Sequence, residues 1–322
     1  MSEKKIERIA CVGAGEMGAG VGIEFARFGY QVALTSRHEE TLEKTMQRAH
    51  QDLDLMVETE LISTDEVKGI LSRIRTTTKL EDAVEGADHV VESIPENLPP
   101  KQEMFVKLDE LCPPHVSLGT NSSAFTIDQC AANVKNHPER CLVTHYWRPA
   151  LYIPLVEVIA GKKTDPAVTK RVAALLRSVR KRVVVQEVEI PTISMLERTP
   201  AGWANVLQFA LLQAGRYLVD MAQCPPQVVD DIIKFGPGRR WPYMPPYVYY
   251  DDLGLDWMYN AAKARGEEPW APVKERVERG EMGMKSGKGF YDWSGDKAKQ
   301  FSRDFYKELI RLMKRDMEKG DL

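Results

Sequence analysis

The stretch from Ile6 to Arg37 constrains this chain most. Ile9-Ala10-Cys11-Val12 is a short apolar run of the kind that forms a buried parallel strand. It leads directly into Gly13-Ala14-Gly15-Glu16-Met17-Gly18, a G-x-G-x-x-G. Apolar residues then recur at helical spacing (Met17, Val21, Phe25, Phe28) as far as Gly29, a helix stop. Gln31 to Thr35 reads as a second strand. Strand, glycine turn, helix and strand in one short unit is the setting in which this motif binds a dinucleotide. Gly13 permits the tight turn, Gly15 lets the backbone approach a pyrophosphate, and Gly18 lets the helix lie close to the strand. The helix N-terminus, beginning at Glu16 and Met17, offers free N–H groups and a partial positive charge to the anion.

The end of the second strand addresses cofactor choice. Folds that prefer NAD carry Asp or Glu there, about 20 residues on, to bind the ribose 2′-hydroxyl. Here Ser36-Arg37 occupies the slot. A hydroxyl donor and a guanidinium suit a 2′-phosphate. The residues therefore favour NADP(H), with NAD(H) as the alternative, in which Arg37 is merely solvated and Ser36 caps the helix starting at Glu39-Glu40.

With 322 residues, 43% of them hydrophobic, the chain can support two domains with cores of their own. A net charge of −3 argues against a nucleic-acid partner. The basic cluster Arg177, Arg180, Lys181, Arg182 reads as a solvated face. No apolar run approaches the roughly 18 residues of a membrane span, and Met1 to Lys5 leads straight into the first strand, leaving no room for a signal peptide. The cysteines number five and form no C-x-x-C. A cytoplasmic protein without a structural metal is the expectation.

Between His38 and Arg75 lies a polar helix-forming stretch that reads as a hairpin of two helices breaking near Ser63-Thr64-Asp65-Glu66. Strands are expected at Ile74–Thr78, His89–Ile94, Ser117–Thr120, Cys141–Thr144, Leu155–Ile159 and Arg182–Gln186, alternating with helices. That alternation predicts an α/β, Rossmann-type, doubly wound sheet with the hairpin as an insertion. From Pro200 the pattern becomes all-α: a long helix Ala201–Met221, apolar on most faces and so expected to be buried, then helices at Pro225–Phe235, Asp251–Ala264 and Phe301–Met317. The expected domains are 1–190 for the dinucleotide and 199–322 for substrate and dimerisation, with a homodimer covering the long apolar helix. The connector 188–198 fits neither pattern.

Hydride transfer at a carbinol carbon needs a base for the hydroxyl proton, and histidine titrates in the right range. Of six histidines, His38, His50, His115 and His137 sit in polar or loop settings and His89 begins a strand. His145 ends one, at the ligand edge of an open α/β sheet. Glu157, alone in the apolar Leu155-Val156-Glu157-Val158-Ile159, demands a partner. The two make a catalytic pair or, more plainly, a satisfied core pair.

At these residues the chain resembles the 3-hydroxyacyl-CoA dehydrogenase family. Thr144-His145-Tyr146-Trp147-Arg148-Pro149 with Pro154-Leu155-Val156-Glu157-Val158 is similar to its catalytic signature. Asn121-Ser122-Ser123, Val91 to Asn97 with Lys101, Pro200 to Phe209, and Lys285-Ser286-Gly287-Lys288-Gly289-Phe290-Tyr291 resemble further family segments in the same order. The resemblance implies His145 as general acid/base, Glu157 as its orienting partner, Ser123 and Asn205 near the reacting oxygen, and Glu96, Lys101 and Asn121 at the cofactor. The plainer alternatives are a helix cap for Ser123 and a backbone-bonded amide for Asn205.

Departures surround the substrate. Arg148 stands where the family usually has Asn, Ala201 replaces a Gly, Val206 replaces an Arg, and Ser36-Arg37 replaces an acid. Arg148, with Arg239 or Arg240, would favour a free carboxylate substrate of the carnitine, gulonate or pyridine-carboxylate type. The helical insertion would instead suit an acyl-CoA, with Lys44, Arg48, Lys68, Arg73 and Arg75 as phosphate contacts. A reading from another class is a catalytically inactive, crystallin-like cofactor binder, against which the intact His145 and Glu157 argue.

Overall fold

The structure, a computed structural model, describes residues 6–187 and 202–321. The 188–198 connector and Ala201 lie outside the described residues. Two compact units divide the chain, Met1–Leu212 and Gln213–Leu322.

In the first unit, eight strands form one sheet: β1 (Arg8–Val12), β2 (Gln31–Thr35), β3 (Ile74–Thr77), β4 (His89–Glu92), β5 (Ser117–Thr120), β6 (Cys141–Tyr146), β7 (Leu155–Ala160) and β8 (Arg182–Gln186). Their spatial order is β3-β2-β1-β4-β5-β6-β7-β8. Side chains alternate along β1, so Ile9 and Cys11 enter one buried cluster while Ala10 and Val12 enter another. A sheet apolar on both faces must be covered on both. Helices α1 (Glu16–Arg27), α2 (Glu39–Glu58), α3 (Thr64–Leu71), α4 (Leu80–Val84), α5 (Leu98–Leu111), α6 (Ile127–Cys130) and α7 (Pro166–Ser178) supply the cover. Val21, Leu42, Leu53 and Val172 pack on the first side, Phe105, Leu108 and Ile127 on the second. The order of strands reverses between β1 and β4, which opens a crevice at their C-terminal ends.

The hairpin insertion is α2 and α3, and α3 opens with a Ser63–Glu66 capping box in which the Ser63 N–H donates to Glu66 Oε2 at 2.8 Å. One pairing departs from the parallel pattern: β6 and β7 are antiparallel. Their link, residues 147–154, contains no helix and is shorter than the dozen or so residues a parallel crossover requires. This reversal sets His145 directly opposite Glu157.

Lys181 is not part of a solvated face. Arg177, Arg180 and Arg182 are exposed, but Lys181 is buried. Its ammonium donates to Ala150 O at 2.7 Å and Ile153 O at 3.1 Å and lies 3.6 Å from Glu24. The link between β6 and β7 is thereby fixed from inside.

Helix α8 (Trp203–Ala222) begins in the first unit and continues in the second. The expected burial of its apolar faces is not seen among the described residues. Only Asn205 is buried among its described side chains, while Leu207 and Met221 are each 71% exposed.

The second unit is helical: α9 (Pro226–Phe235), α10 (Pro237–Arg240), α11 (Pro246–Leu253), α12 (Leu255–Ala264), α13 (Ala271–Glu278) and α14 (Lys297–Lys319). The single helix expected at Asp251–Ala264 is two, because Gly254 takes φ +98°, outside helical geometry. Asp251 organises the G-K-G-F-Y segment. Its buried carboxylate accepts hydrogen bonds from Phe290 N, Tyr291 N and Trp293 Nε1. A Cβ at Gly289 would fall 2.1 Å from Asp251 Oδ1, so glycine there is a packing requirement.

Candidate active site

His145 sits at the C-terminal end of β6 and Glu157 faces it from β7. Cross-strand partners of this kind bring side chains together on one face, and His145 Nδ1 donates to Glu157 Oε2 at 2.9 Å. Both side chains are buried. With Nδ1–H committed to the carboxylate, Nε2 is left facing outward as acceptor. Ser123, on the loop after β5, lies with its hydroxyl 3.2 Å from that nitrogen. Asn205 Nδ2 reaches the Ser123 carbonyl at 3.4 Å. Ser123 does not cap α6; Thr126 does, accepting from Gln129 N.

Glu157 has a second role that its place in the sequence did not signal. Oε1 accepts from the Ala204 N–H at 2.9 Å, and Gln186 Oε1 accepts from Trp203 N at 3.2 Å. The first N–H groups of α8, which have no partner inside the helix, are thus satisfied by side chains of β7 and β8. Burial alone would raise the Glu157 carboxyl, but His145 and the Ala204 N–H outweigh it and hold the group below its usual range. Glu157 is therefore a carboxylate at neutral pH.

A cavity of about 600 Å³ opens beside the pair. Met17, Glu96, Lys101, Asn121, Ser123, His145, Arg148 and Asn205 all line it, together with Ser93, Ile94, Tyr146, Trp147, Gln208 and Phe209. Lys101 is 1% exposed; its ammonium lies 2.9 Å from Glu92, 3.1 Å from Ile94 O and 3.3 Å from Glu96. Glu96 also accepts from the Ser122 hydroxyl and, at 2.9 Å, from Ala124 N. Asn121 Oδ1 accepts from Tyr146 N at 2.8 Å, tying the loop after β5 to the strand that carries His145. Sequence reasoning assigns no role to Glu92, although the signal used for Glu157, a carboxylate in an apolar strand, is there to be read in Val90-Val91-Glu92.

The glycine turn lies at the end of β1 and reaches the cavity through Met17, with Gly13 N donating to Thr35 O at 2.9 Å. Its form fits a dinucleotide. Gly13 takes φ +99°, and a Cβ there would meet Ser93 O at 2.6 Å. A Cβ at Gly18 would meet Gly13 O at 2.0 Å, whereas Gly15 faces open space. The N-cap of α1 makes no side-chain capping bond, so its N–H groups remain open to an anion. Ser36 and Arg37 follow β2; Ser36 Oγ accepts weakly from His38 N at 3.4 Å, and Arg37 is exposed with no partner among the described residues.

The remaining histidines contribute nothing here. His38, His50 and His115 are exposed, and His137 pairs with Glu139 at 3.0 Å. His89 is buried at the start of β4 against Ser117 Oγ, where burial pushes it down to about 4. Among the described residues no cluster of His, Cys, Asp or Glu could hold a metal, and no helix is long and apolar enough to cross a membrane.

A dinucleotide fold with a buried histidine–carboxylate pair at its crevice defines a nicotinamide-dependent dehydrogenase of CH–OH groups. Residues 8–189 match the NAD-binding domain of 3-hydroxyacyl-CoA dehydrogenase, and residues 203–293 match its C-terminal domain. The chain belongs to the 3-hydroxyacyl-CoA dehydrogenase family. It is 31% identical to a probable 3-hydroxybutyryl-CoA dehydrogenase of Bacillus subtilis, over 90% of this chain and 98% of that one. It is 28% identical to the 5-formyl-3-hydroxy-2-methylpyridine 4-carboxylate 5-dehydrogenase of Mesorhizobium japonicum, over 95% and 97%. The crystal structure of a 3-hydroxyacyl-CoA dehydrogenase from Archaeoglobus fulgidus superposes with a TM-score of 0.77 at 26% identity, covering 96% of this chain and 99% of that one.

Proposed function

We propose that this protein transfers a hydride between a nicotinamide cofactor, NADP(H) in preference to NAD(H), and the carbon bearing oxygen β to a carboxyl or thioester group. The observation that carries this reading is the line Glu157–His145–Ser123, with 2.9 and 3.2 Å between successive partners, opening on one cavity. Bound nicotinamide supplies the hydride acceptor. The chain supplies the rest. Gly13, Gly15, Gly18 and the start of α1 at Glu16 and Met17 would hold the pyrophosphate, and Glu96, Lys101 and Asn121 the nicotinamide end. The substrate hydroxyl would sit between Ser123 Oγ and His145 Nε2. As the hydride leaves, Nε2 takes the hydroxyl proton, and the Glu157 carboxylate steadies the imidazolium that results. Ser123 and Asn205 donate to the developing alkoxide without titrating. In reduction the proton returns from Nε2.

The cofactor preference rests on an unpartnered guanidinium at the end of β2 where a carboxylate would serve NAD. Fluorescence titration is expected to show NADPH bound more tightly than NADH, and Arg37→Ala to weaken NADPH about tenfold or more, the scale of one charge-assisted hydrogen bond, while leaving NADH unchanged. Equal loss for both cofactors, or none, would refute the assignment. The exposed apolar residues of α8 support pairing of two chains. Light scattering at micromolar concentration is expected to return twice the chain mass; a single-chain mass would exclude the pairing.

A further inference from the structure

We propose that the substrate is a free hydroxy acid whose carboxylate docks on Arg148, and that Glu16 holds the guanidinium in readiness for it. The proposal rests on the hydride-transfer reading above and adds the substrate's second anchor.

Arg148 shares a cavity wall with His145, Ser123 and Asn205. Its Nε donates to Glu16 Oε2 at 3.0 Å, and its Nη2 lies 2.9 Å from the same oxygen. Those two groups form one edge of the guanidinium fork. The second edge, Nη1 with the other hydrogen of Nη2, has no partner among the described residues, and the side chain is 76% exposed. A fixed, open edge of this kind takes a planar carboxylate with two parallel hydrogen bonds. The backbone beneath is fixed too, because Lys181 donates to Ala150 O and Ile153 O from inside the fold. Glu16 is steadied from its far side by Arg48 at 3.4 Å, and Arg48 lies 3.6 Å from Asp52, which accepts from the Tyr152 hydroxyl at 2.9 Å.

Four of the five cations that would hold a CoA tail on the helical insertion already have partners, whereas the Lys68 ammonium has none among the described residues. Arg48 is taken by Glu16 and Asp52, and Lys44 lies 2.6 Å from Glu40. Arg73 donates to Ala26 O at 3.1 Å and Arg75 to Asp82 O at 2.6 Å. The other carboxylate candidates are engaged as well: Arg239 pairs with Asp316, and Arg240 lies 4.0 Å over the Tyr249 ring.

The test compares, on the full chain, a series of straight-chain 3-hydroxy acids with their methyl esters and CoA thioesters, for wild type, Arg148→Asn and Arg148→Lys. Wild type is expected to favour the acids. Arg148→Asn is expected to raise KM for the acids about 10- to 100-fold, the worth of a charge-assisted pair, with kcat little changed. The acid-to-ester ratio of kcat/KM falls accordingly, and Arg148→Lys recovers part of it. An unchanged ratio overturns the proposal. So does a rise in the NADPH or NADH dissociation constant in place of the acid KM, which would give the open edge to the cofactor's phosphates. Turnover of esters and thioesters but not acids overturns it while leaving hydride transfer standing; turnover of none of the three overturns both.

Discussion

Replacing His145 with Gln is expected to lower kcat by about 10²- to 10⁴-fold, the usual worth of a positioned general base, while NAD(P)H still binds. Gln fills much of the same volume and can still donate toward Glu157, but it cannot carry a proton between substrate and solvent. The pair stands on adjacent strands of a fixed register, with His145 only 3% exposed and its ring T-shaped against Trp147 at 5.3 Å between centroids. No other histidine lines the cavity to substitute for it. Single-turnover oxidation of cofactor with the substrate that wild type uses best is the measurement, with thermal unfolding and cofactor titration as controls. A loss under about tenfold, with the fold and cofactor binding intact, would remove His145 from the proton path.

How much of this could be read from the chain alone follows from how local each determinant is. The first β-α-β unit is legible because its glycines, strand residues and helix spacing all lie within one short segment, and Gly13 and Gly18 answer to steric demands that the structure contains. His145 and Glu157 are legible as chemistry, a base at a strand end and an acid in an apolar run. Their contact depends on β6 and β7 running antiparallel, a non-local pairing that no periodicity announces. The same limit explains the misreadings. Lys181 looks solvated beside Arg177, Arg180 and Arg182, since only the folded chain shows Glu24 and two carbonyls converging on it. Asp251 reads as one more polar helix residue, although it accepts three hydrogen bonds from a segment some 40 positions later. The apolar run of α8 is a different case, since hydrophobicity tells that a face avoids water but not which surface covers it. Arg148 stands out by type as a residue that suits a carboxylate, whereas its tie to Glu16, 132 positions earlier, requires the fold.

The second large effect is expected at a residue that touches neither substrate nor cofactor. A Cβ added at Gly202 would fall 2.6 Å from Glu157 Oε1 and 2.8 Å from both its Cδ and Oε2. Real Cβ atoms do not approach that closely, so Gly202→Ala must displace the carboxylate or the start of α8. Neither is free to yield. Oε2 is held by His145, Oε1 holds the Ala204 N–H, and the whole side chain is buried. If the carboxylate moves, His145 loses the group that fixes its tautomer and steadies its charged form. If α8 moves, Asn205 leaves the Ser123 carbonyl and the reacting oxygen with it. Either route acts on the transition state, so Gly202→Ala should depress kcat on the order of 100-fold with cofactor affinity unchanged, as expected when a supporting group mispositions a catalytic one. Glu157→Gln provides the comparison, keeping the shape while removing the charge, and the double variant distinguishes the routes. Displacement of the carboxylate makes the two losses overlap in the double variant; displacement of α8 makes them add. A Gly202→Ala enzyme with wild-type kcat would show that Glu157 is not needed in its observed position.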